Sequence, residues 1–152
     1  MSVRKIPEGY HSVTPYLNVR RASDAIAYYK EAFGAEEIMR LEHQGMVGHA
    51  EVRIGDSHVM LADEYPDMGA VGPETLGGAG VHMMIYVDDV DSAFAQAMAA
   101  GGTEVRPVAD QFYGDRSGTL KDPFGHQWTL ATHIEDVSEE ELQKRFEAMF
   151  TE

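Results

Sequence analysis

Val13-Thr14-Pro15-Tyr16-Leu17-Asn18-Val19 and Val81-His82-Met83-Met84-Ile85-Tyr86-Val87 decide the fold when one is laid on the other. Each alternates between two side-chain sets, the pattern of a strand with two different faces. Each is followed by a helical period. After the first come Ala25, Ile26, Tyr29, Ala32 and Phe33, with Ser23 as the predicted N-cap and Gly34 as the stop. After the second, a helix is predicted from about Val90 to Ala100, ended by Gly101-Gly102. His82 lies 68 positions after Thr14, and Gly102 lies 68 after Gly34. Gly125, before the last strand of the second half, lies 70 after Gly55. A near-constant offset through strand, helix end and turn predicts an internal repeat.

Each half continues with three strands. In the first these are Glu37 to His43, Gly48 to Ile54 and Ser57 to Ala62, with Gly55-Asp56 as the last turn. In the second they are Thr103 to Pro107, Gly118 to Lys121 and Gln127 to His133, with Asp122-Pro123-Phe124-Gly125 as the turn. The strand predicted over Ser12–Val19 contains Pro15, which suits an edge. The reading is an α+β chain of two tandem βαβββ modules, about 10–63 and 81–133, within one domain spanning 1–152. Residues 64–80, rich in glycine and proline, read as a linker. A C-terminal helix at about 138–150 starts with the capping pair Ser138 and Glu141, and Leu142, Phe146, Met149 and Phe150 form one apolar stripe.

Composition narrows the function. The chain has 152 residues, 43% of them hydrophobic, which suits one domain with a substantial core. No run approaches the roughly 20 apolar residues of a membrane helix, and Met1–Pro7 lacks the apolar stretch of a signal peptide. The absence of cysteine excludes disulfides, thiolate metal sites and a thiol nucleophile, and makes the cytoplasm the expected compartment. A net charge of −14 opposes nucleic acid and anionic membranes, so neither is an expected partner. No Gly-x-Ser-x-Gly elbow or phosphate-binding loop is present.

A sheet covered by helix on one face leaves the other free. The more apolar sets, Leu17 and Val19 with Ile85 and Val87, are assigned to the helices. Thr14, Tyr16 and Asn18, with His82, Met84 and Tyr86, then face a shared concavity. Met60, Phe112, Tyr113, Trp128 and Thr129 are further candidates for its wall or lid, and Trp128 is equally placed to face a helix. Arg116 is the candidate cation for a carboxylate or phenolate, or else a surface arginine paired with Asp115 or Asp122. His126 is expected to be exposed and His133 to be structural.

The paired modules, the Ala25-x-x-Tyr28-Tyr29 helix ending in Phe33-Gly34, and Gly114-Asp115-Arg116 before Asp122-Pro123-Phe124-Gly125 resemble the vicinal oxygen chelate superfamily. This group comprises glyoxalases, bleomycin-resistance proteins and extradiol dioxygenases, and the match is to its PhnB-like branch. The resemblance covers about residues 10–133. It implies a partly open, barrel-like cup with the helices outside, and a homodimer, to which the C-terminal stripe also points. Enzymes of the superfamily place up to four His or Glu metal ligands on the first and last strands of each module. Here those positions carry Thr14, Met60 (or Val59), His82 and Thr129, so one ligand type of four survives. The expectation is therefore a metal-independent protein that binds or sequesters an aromatic or apolar small molecule, with no cofactor. The alternative is a lyase, isomerase or dioxygenase using Ni, Zn, Mn or Fe at a rearranged site of His49, Glu51 and His82, with His58 a lesser candidate.

Overall fold

A computed structural model of the chain describes residues 2–151. Module one runs β1 (Tyr16–Val19), α1 (Ala22–Phe33), β2 (Glu36–His43), β3 (Met46–Ile54) and β4 (Ser57–Asp63). A 3-10 turn (Pro66–Met68) and a one-turn helix α2 (Pro73–Leu76) occupy the linker. Module two runs β5 (Met83–Tyr86), α3 (Val90–Ala99), β6 (Thr103–Asp110), β7 (Asp115–Lys121) and β8 (Gln127–His133), and α4 (Glu139–Ala148) follows. The two four-stranded sheets are ordered β1-β4-β3-β2 and β5-β8-β7-β6. In each, the first strand pairs parallel with the last and the other pairs are antiparallel. The result is an α+β fold of two βαβββ modules forming a partly open cup with helices outside, and no closed barrel.

The first strand of each module is shorter than the sequence expectation, whereas β3, β6 and β7 run longer, through the paired residues Met46, Asp110 and Asp115. β1 begins at Tyr16 rather than Ser12, because Pro15 has no N–H to donate. Its carbonyl still accepts the Met60 N–H at 3.0 Å. β5 likewise begins at Met83 rather than Val81. Helix α1 starts at Ala22 without a side-chain cap from its own chain end, so Ser23 is not the N-cap. Asp63, at the end of β4, does that work across the sheet: its Oδ1 accepts the Ala22 N–H at 2.8 Å and its Oδ2 the Val47 N–H at 2.7 Å. Gly34 ends α1 in the left-handed region at φ 67°, a conformation other residues adopt only at a cost. Ser138 caps α4 as expected, accepting the Glu141 N–H at 3.2 Å.

Leu17, Val19, Val52, Val59 and Leu61 are buried on the side of α1, Leu120 and Leu130 on the side of α3, and Trp128 packs on Tyr29 and Phe33 of α1. The helices also pack on each other: Tyr28 Oη donates to the Ala97 carbonyl at 3.1 Å and Gln96 Nε2 to the Glu31 carbonyl at 2.8 Å. One core therefore serves both modules. At its centre the buried Asp122 carboxylate takes four donors. Tyr29 Oη reaches Oδ2 at 2.6 Å and Trp128 Nε1 reaches it at 2.9 Å, while the backbone N–H groups of Phe124 and His126 reach Oδ1 at 2.9 and 3.0 Å. Burial, then the adjacent carboxylate, push the Tyr29 phenol well above its ordinary range, so it stays a donor.

Asp122→Ala strands these donors in the core. A loss of about 3 kcal/mol of stability is expected, since each orphaned buried donor costs about 1–3 kcal/mol. Urea unfolding followed by circular dichroism measures it, and Tyr29→Phe should cost clearly less.

Candidate functional site

The strand registers place side chains in two rows on the faces turned from the helices. Across module one the row is Tyr16, Met60, Glu51 and Met39, and across module two it is Met84, Thr129, Thr119 and Arg106. Tyr16, Met84 and Tyr86 are exposed, whereas Leu17 and Val19 are buried and Ile85 and Val87 half-buried. The predicted division of β1 and β5 into helix-facing and cup-facing sets therefore matches the structure.

A cavity of about 670 Å³ opens between the β3–β4 hairpin, the segment Tyr10–Pro15 and β5. Thr14, His82, Met84, Tyr86, His58 and Tyr10 line it, and Trp128 contributes from behind. Tyr10 stacks on His58 with ring centroids 4.2 Å apart, and His58 Nδ1 donates to the Gly9 carbonyl at 2.9 Å. These contacts hold the N-terminal segment at the cavity mouth. An apolar crevice of about 420 Å³ adjoins β1 and is bordered by Tyr16, Asn18, Leu76, Val81, Met83 and His126. Gly72 packs against β1 here, where a Cβ would lie 2.2 Å from the Asn18 carbonyl oxygen.

Arg116 and His126 depart from expectation, and the other candidates are divided between cup and core. Trp128 is 1% exposed and packs on Tyr29 and Phe33, so it belongs to the helix-side core and only backs the cavity. Arg116 lies outside the cup. It forks onto Asp91 of α3 with two bonds of 2.9 Å and reaches Asp110 at 3.0 Å, pairing with neither Asp115 nor Asp122. Phe112 and Tyr113 line a separate pocket with Leu142 and Phe146 of α4, and Tyr113 is also near enough to Tyr86 to act on its phenol. Thr129 is on the cup side, but its hydroxyl is engaged with Thr119 at 2.8 Å. Met60 is half-buried beside Tyr16. His126 is buried, with Nε2 directed at the Asn18 carbonyl at 3.4 Å.

Among the described residues, no three His, Asp or Glu side chains converge as a metal site would require. The alternative trio is thus not assembled within one chain. His49 and Glu51 meet at 2.8 Å and Tyr16 Oη meets His49 Nδ1 at 2.9 Å, while His82 stands apart on the cavity rim. In module two the buried Asp115 accepts from Tyr86 Oη at 2.8 Å and from His133 Nδ1 at 2.8 Å. The bond to Asp115, more than burial, raises the Tyr86 phenol above its ordinary value. Burial raises that of Tyr16. Tyr10, His126 and Asp115 are not among the residues that the sequence assigns to the cup, and His58 is there only as a lesser metal-site candidate. Tyr10 and His126 lie outside the strands, and Asp115 precedes the Gly118–Lys121 strand expected from sequence.

The fold and these two rows of side chains define a paired-βαβββ protein with an open ligand-sized concavity. The chain belongs to the Glyoxalase/Bleomycin resistance protein/Dioxygenase superfamily, whose sequence model matches residues 9–130. It is 40% identical over 136 residues to the uncharacterized protein Rv0887c of Mycobacterium tuberculosis, covering 87% of this chain and 80% of that one. The Arabidopsis thaliana gene product At5g48480 is similar in structure, at 28% identity and a TM-score of 0.66, over 80% of this chain and 98% of that one. A PhnB protein from Bacillus cereus shares the fold at 19% identity and a TM-score of 0.64, over 80% and 99% of the two chains.

His133 also bonds Asp136 through Nε2 at 2.8 Å. The Asp115 bond, then the Asp136 bond, raise the imidazole above its ordinary 6.5. The charged ring therefore stabilises the fold fully below 6.5, and that contribution is lost as pH rises through the raised value. His133→Gln should lower the melting temperature at pH 5.5 and leave little difference at pH 9, as differential scanning fluorimetry would record.

Proposed function

We propose that this chain is a metal-independent small-molecule binding protein that carries or sequesters an uncharged aromatic or apolar ligand. The observation that carries this reading is the cavity of about 670 Å³ between the β3–β4 hairpin and β5. Its size falls in the range of about 300–1,000 Å³ usual for ligand sites. Met84, Tyr86 and Val13 supply apolar and aromatic wall, and Thr14 and His82 supply directed polar groups. Methionine adapts to varied apolar shapes, and the net charge of −14 disfavours anionic ligands. Against a metal enzyme stand the side chains themselves. Thr14, Met60 and Thr129 are poor ligands for a hard divalent ion, and His49 and Glu51 are engaged with each other and with Tyr16.

The test is dialysis against nickel, zinc, manganese and iron(II) separately, followed by a panel of uncharged aromatic compounds read by Trp128 fluorescence. Substoichiometric metal is expected, with saturable quenching weakened about tenfold by Met84→Ala, as for loss of a buried apolar contact. About one metal per chain, lost in His82→Ala, would establish the divalent-metal enzyme instead.

We further propose that the protein is a homodimer joined in part through α4 and the residues after it, where Phe146, Met149 and Phe150 are exposed in the single chain. Sedimentation equilibrium should give twice the chain mass, and Phe150→Asp with Met149→Asp should shift it to one chain.

A further inference from the structure

The crevice beside β1 offers backbone polarity on an apolar wall. In a parallel pair only every second residue of a strand bonds to its neighbour. The Pro15 carbonyl accepts the Met60 N–H and the Val19 carbonyl accepts the Glu64 N–H, so Pro15, Leu17 and Val19 are the residues turned to β4. The N–H and C=O of Tyr16 and Asn18 point the other way, from the outer edge of β1 into the crevice that both residues border. The Asn18 end of this edge is closed. A Cβ on Gly72 would lie 2.2 Å from the Asn18 carbonyl oxygen, and His126 Nε2 donates to that oxygen at 3.4 Å. Tyr16 is left with both groups open: among the described residues, no backbone group outside β4 reaches its N–H or its C=O. Its phenol takes no part, since it turns across β4 to His49. A ring acceptor is unmet as well. His126 is 8% exposed, and with hydrogen on Nε2 its Nδ1 has no partner among the described residues. Leu76, Val81 and Met83 supply apolar wall, and among the described residues no Asp, Glu, Lys or Arg lines the crevice.

We propose that this crevice is a second ligand site, separate from the cavity at β5, and that it takes an uncharged apolar amino acid capped at both ends by amides. Opposed residues of an antiparallel pair exchange two hydrogen bonds, N–H to C=O in each direction. Tyr16 presents that donor and acceptor side by side, and a capped residue is the smallest molecule that returns both. A lone hydroxyl or ketone meets only one of them. The absence of charged lining selects blocked ends, because a free amine or carboxylate would be desolvated there without a partner. The volume of about 420 Å³ lies within the range of about 300–1,000 Å³ usual for small-molecule sites. Closure of the edge at Asn18 stops a longer strand from continuing the ladder, so the ligand is a free small molecule and not a segment of another protein. Its side chain and caps cover Leu76, Val81 and Met83, two of which are largely exposed in the single chain.

The probes are N-acetyl-leucine methylamide and N-acetyl-phenylalanine methylamide, titrated into nitrogen-15-labelled protein and followed by amide nuclear magnetic resonance. The Tyr16 amide proton should move downfield and saturate, with Leu76 and Val81 shifting alongside, while Ser57 and His58, which line only the other cavity, stay in place. Methylation of the leucine nitrogen removes the donor and keeps the apolar surface, and should weaken binding about tenfold, the value of one net hydrogen bond. Leu76→Asp and Val81→Asp, at exposed positions that the fold does not need, should each weaken it about tenfold. Leucine itself, charged at both ends, should not compete. A pentapeptide with the same leucine between alanines should bind no more tightly than the capped residue. A Tyr16 amide that stays in place, equal binding by the N-methylated probe, or shifts confined to residues of the cavity at β5 overturns this site and leaves the cavity reading standing. A pentapeptide more than about tenfold tighter overturns the single-residue ligand, since the edge would then seat a protein strand.

Discussion

A carboxylate buried in an apolar core has a large desolvation cost unless its lone pairs are filled. Asp122 meets that condition with donors from both halves of the chain: the Tyr29 hydroxyl of α1 and the indole of Trp128 on β8, together with two amides of its own turn. The requirement is geometric as well as energetic. It sets α1 of module one against the β7–β8 turn of module two. The aromatic layer of Tyr28, Tyr29, Phe33, Phe124 and Trp128 surrounds this point. Everything proposed for the cup depends on the two modules keeping that relation, because the cavity takes its walls from both.

What could be read from sequence was local or periodic. The alternation in Tyr16–Val19 and Met83–Tyr86 identified the helix-facing and cup-facing side chains, because a strand has no other way to arrange them. The Gly34 helix stop and the Ser138 cap are also short-range and were legible. What escaped is long-range. The partner of the α1 N-terminus is Asp63, 41 residues away, where local sequence offers only Ser23. His126 looked like a turn residue in solvent, yet the turn folds against β1, 108 residues earlier. Arg116 precedes the Gly118–Lys121 strand expected from sequence, and its partner Asp91 is on a helix that no periodicity ties to that position. Alternation leaves the Trp128 indole open to either face, and its bond to Asp122 fixes it on the helix side.

The duplicated module gives a controlled comparison within one molecule. Strand order, parallel closure and helix placement repeat, while the polar side chains on the cup side do not. Tyr16 corresponds in register to Met84, and Asn18 to Tyr86. The two tyrosines are therefore not remnants of one ancestral position, and their bonding differs accordingly. One phenol faces a carboxylate that serves to hold β8 and the chain after it. The other faces an imidazole with a carboxylate behind it. The shared scaffold supplies rigidity to both, and the chemistry lies in substitutions that leave the helix-facing sets untouched.

Tyr29 and Asp122 are separated by 93 residues. On the ribosome, module one emerges with the flank of its helix, Tyr28, Tyr29 and Phe33, still lacking the surface that will cover it. A nascent chain held at the linker would expose an aromatic ridge to its surroundings for the time needed to translate the second half. The same duplication that builds the cup thus delays closure of the core until nearly the whole chain has been made, and leaves the half-made protein in need of protection from its neighbours.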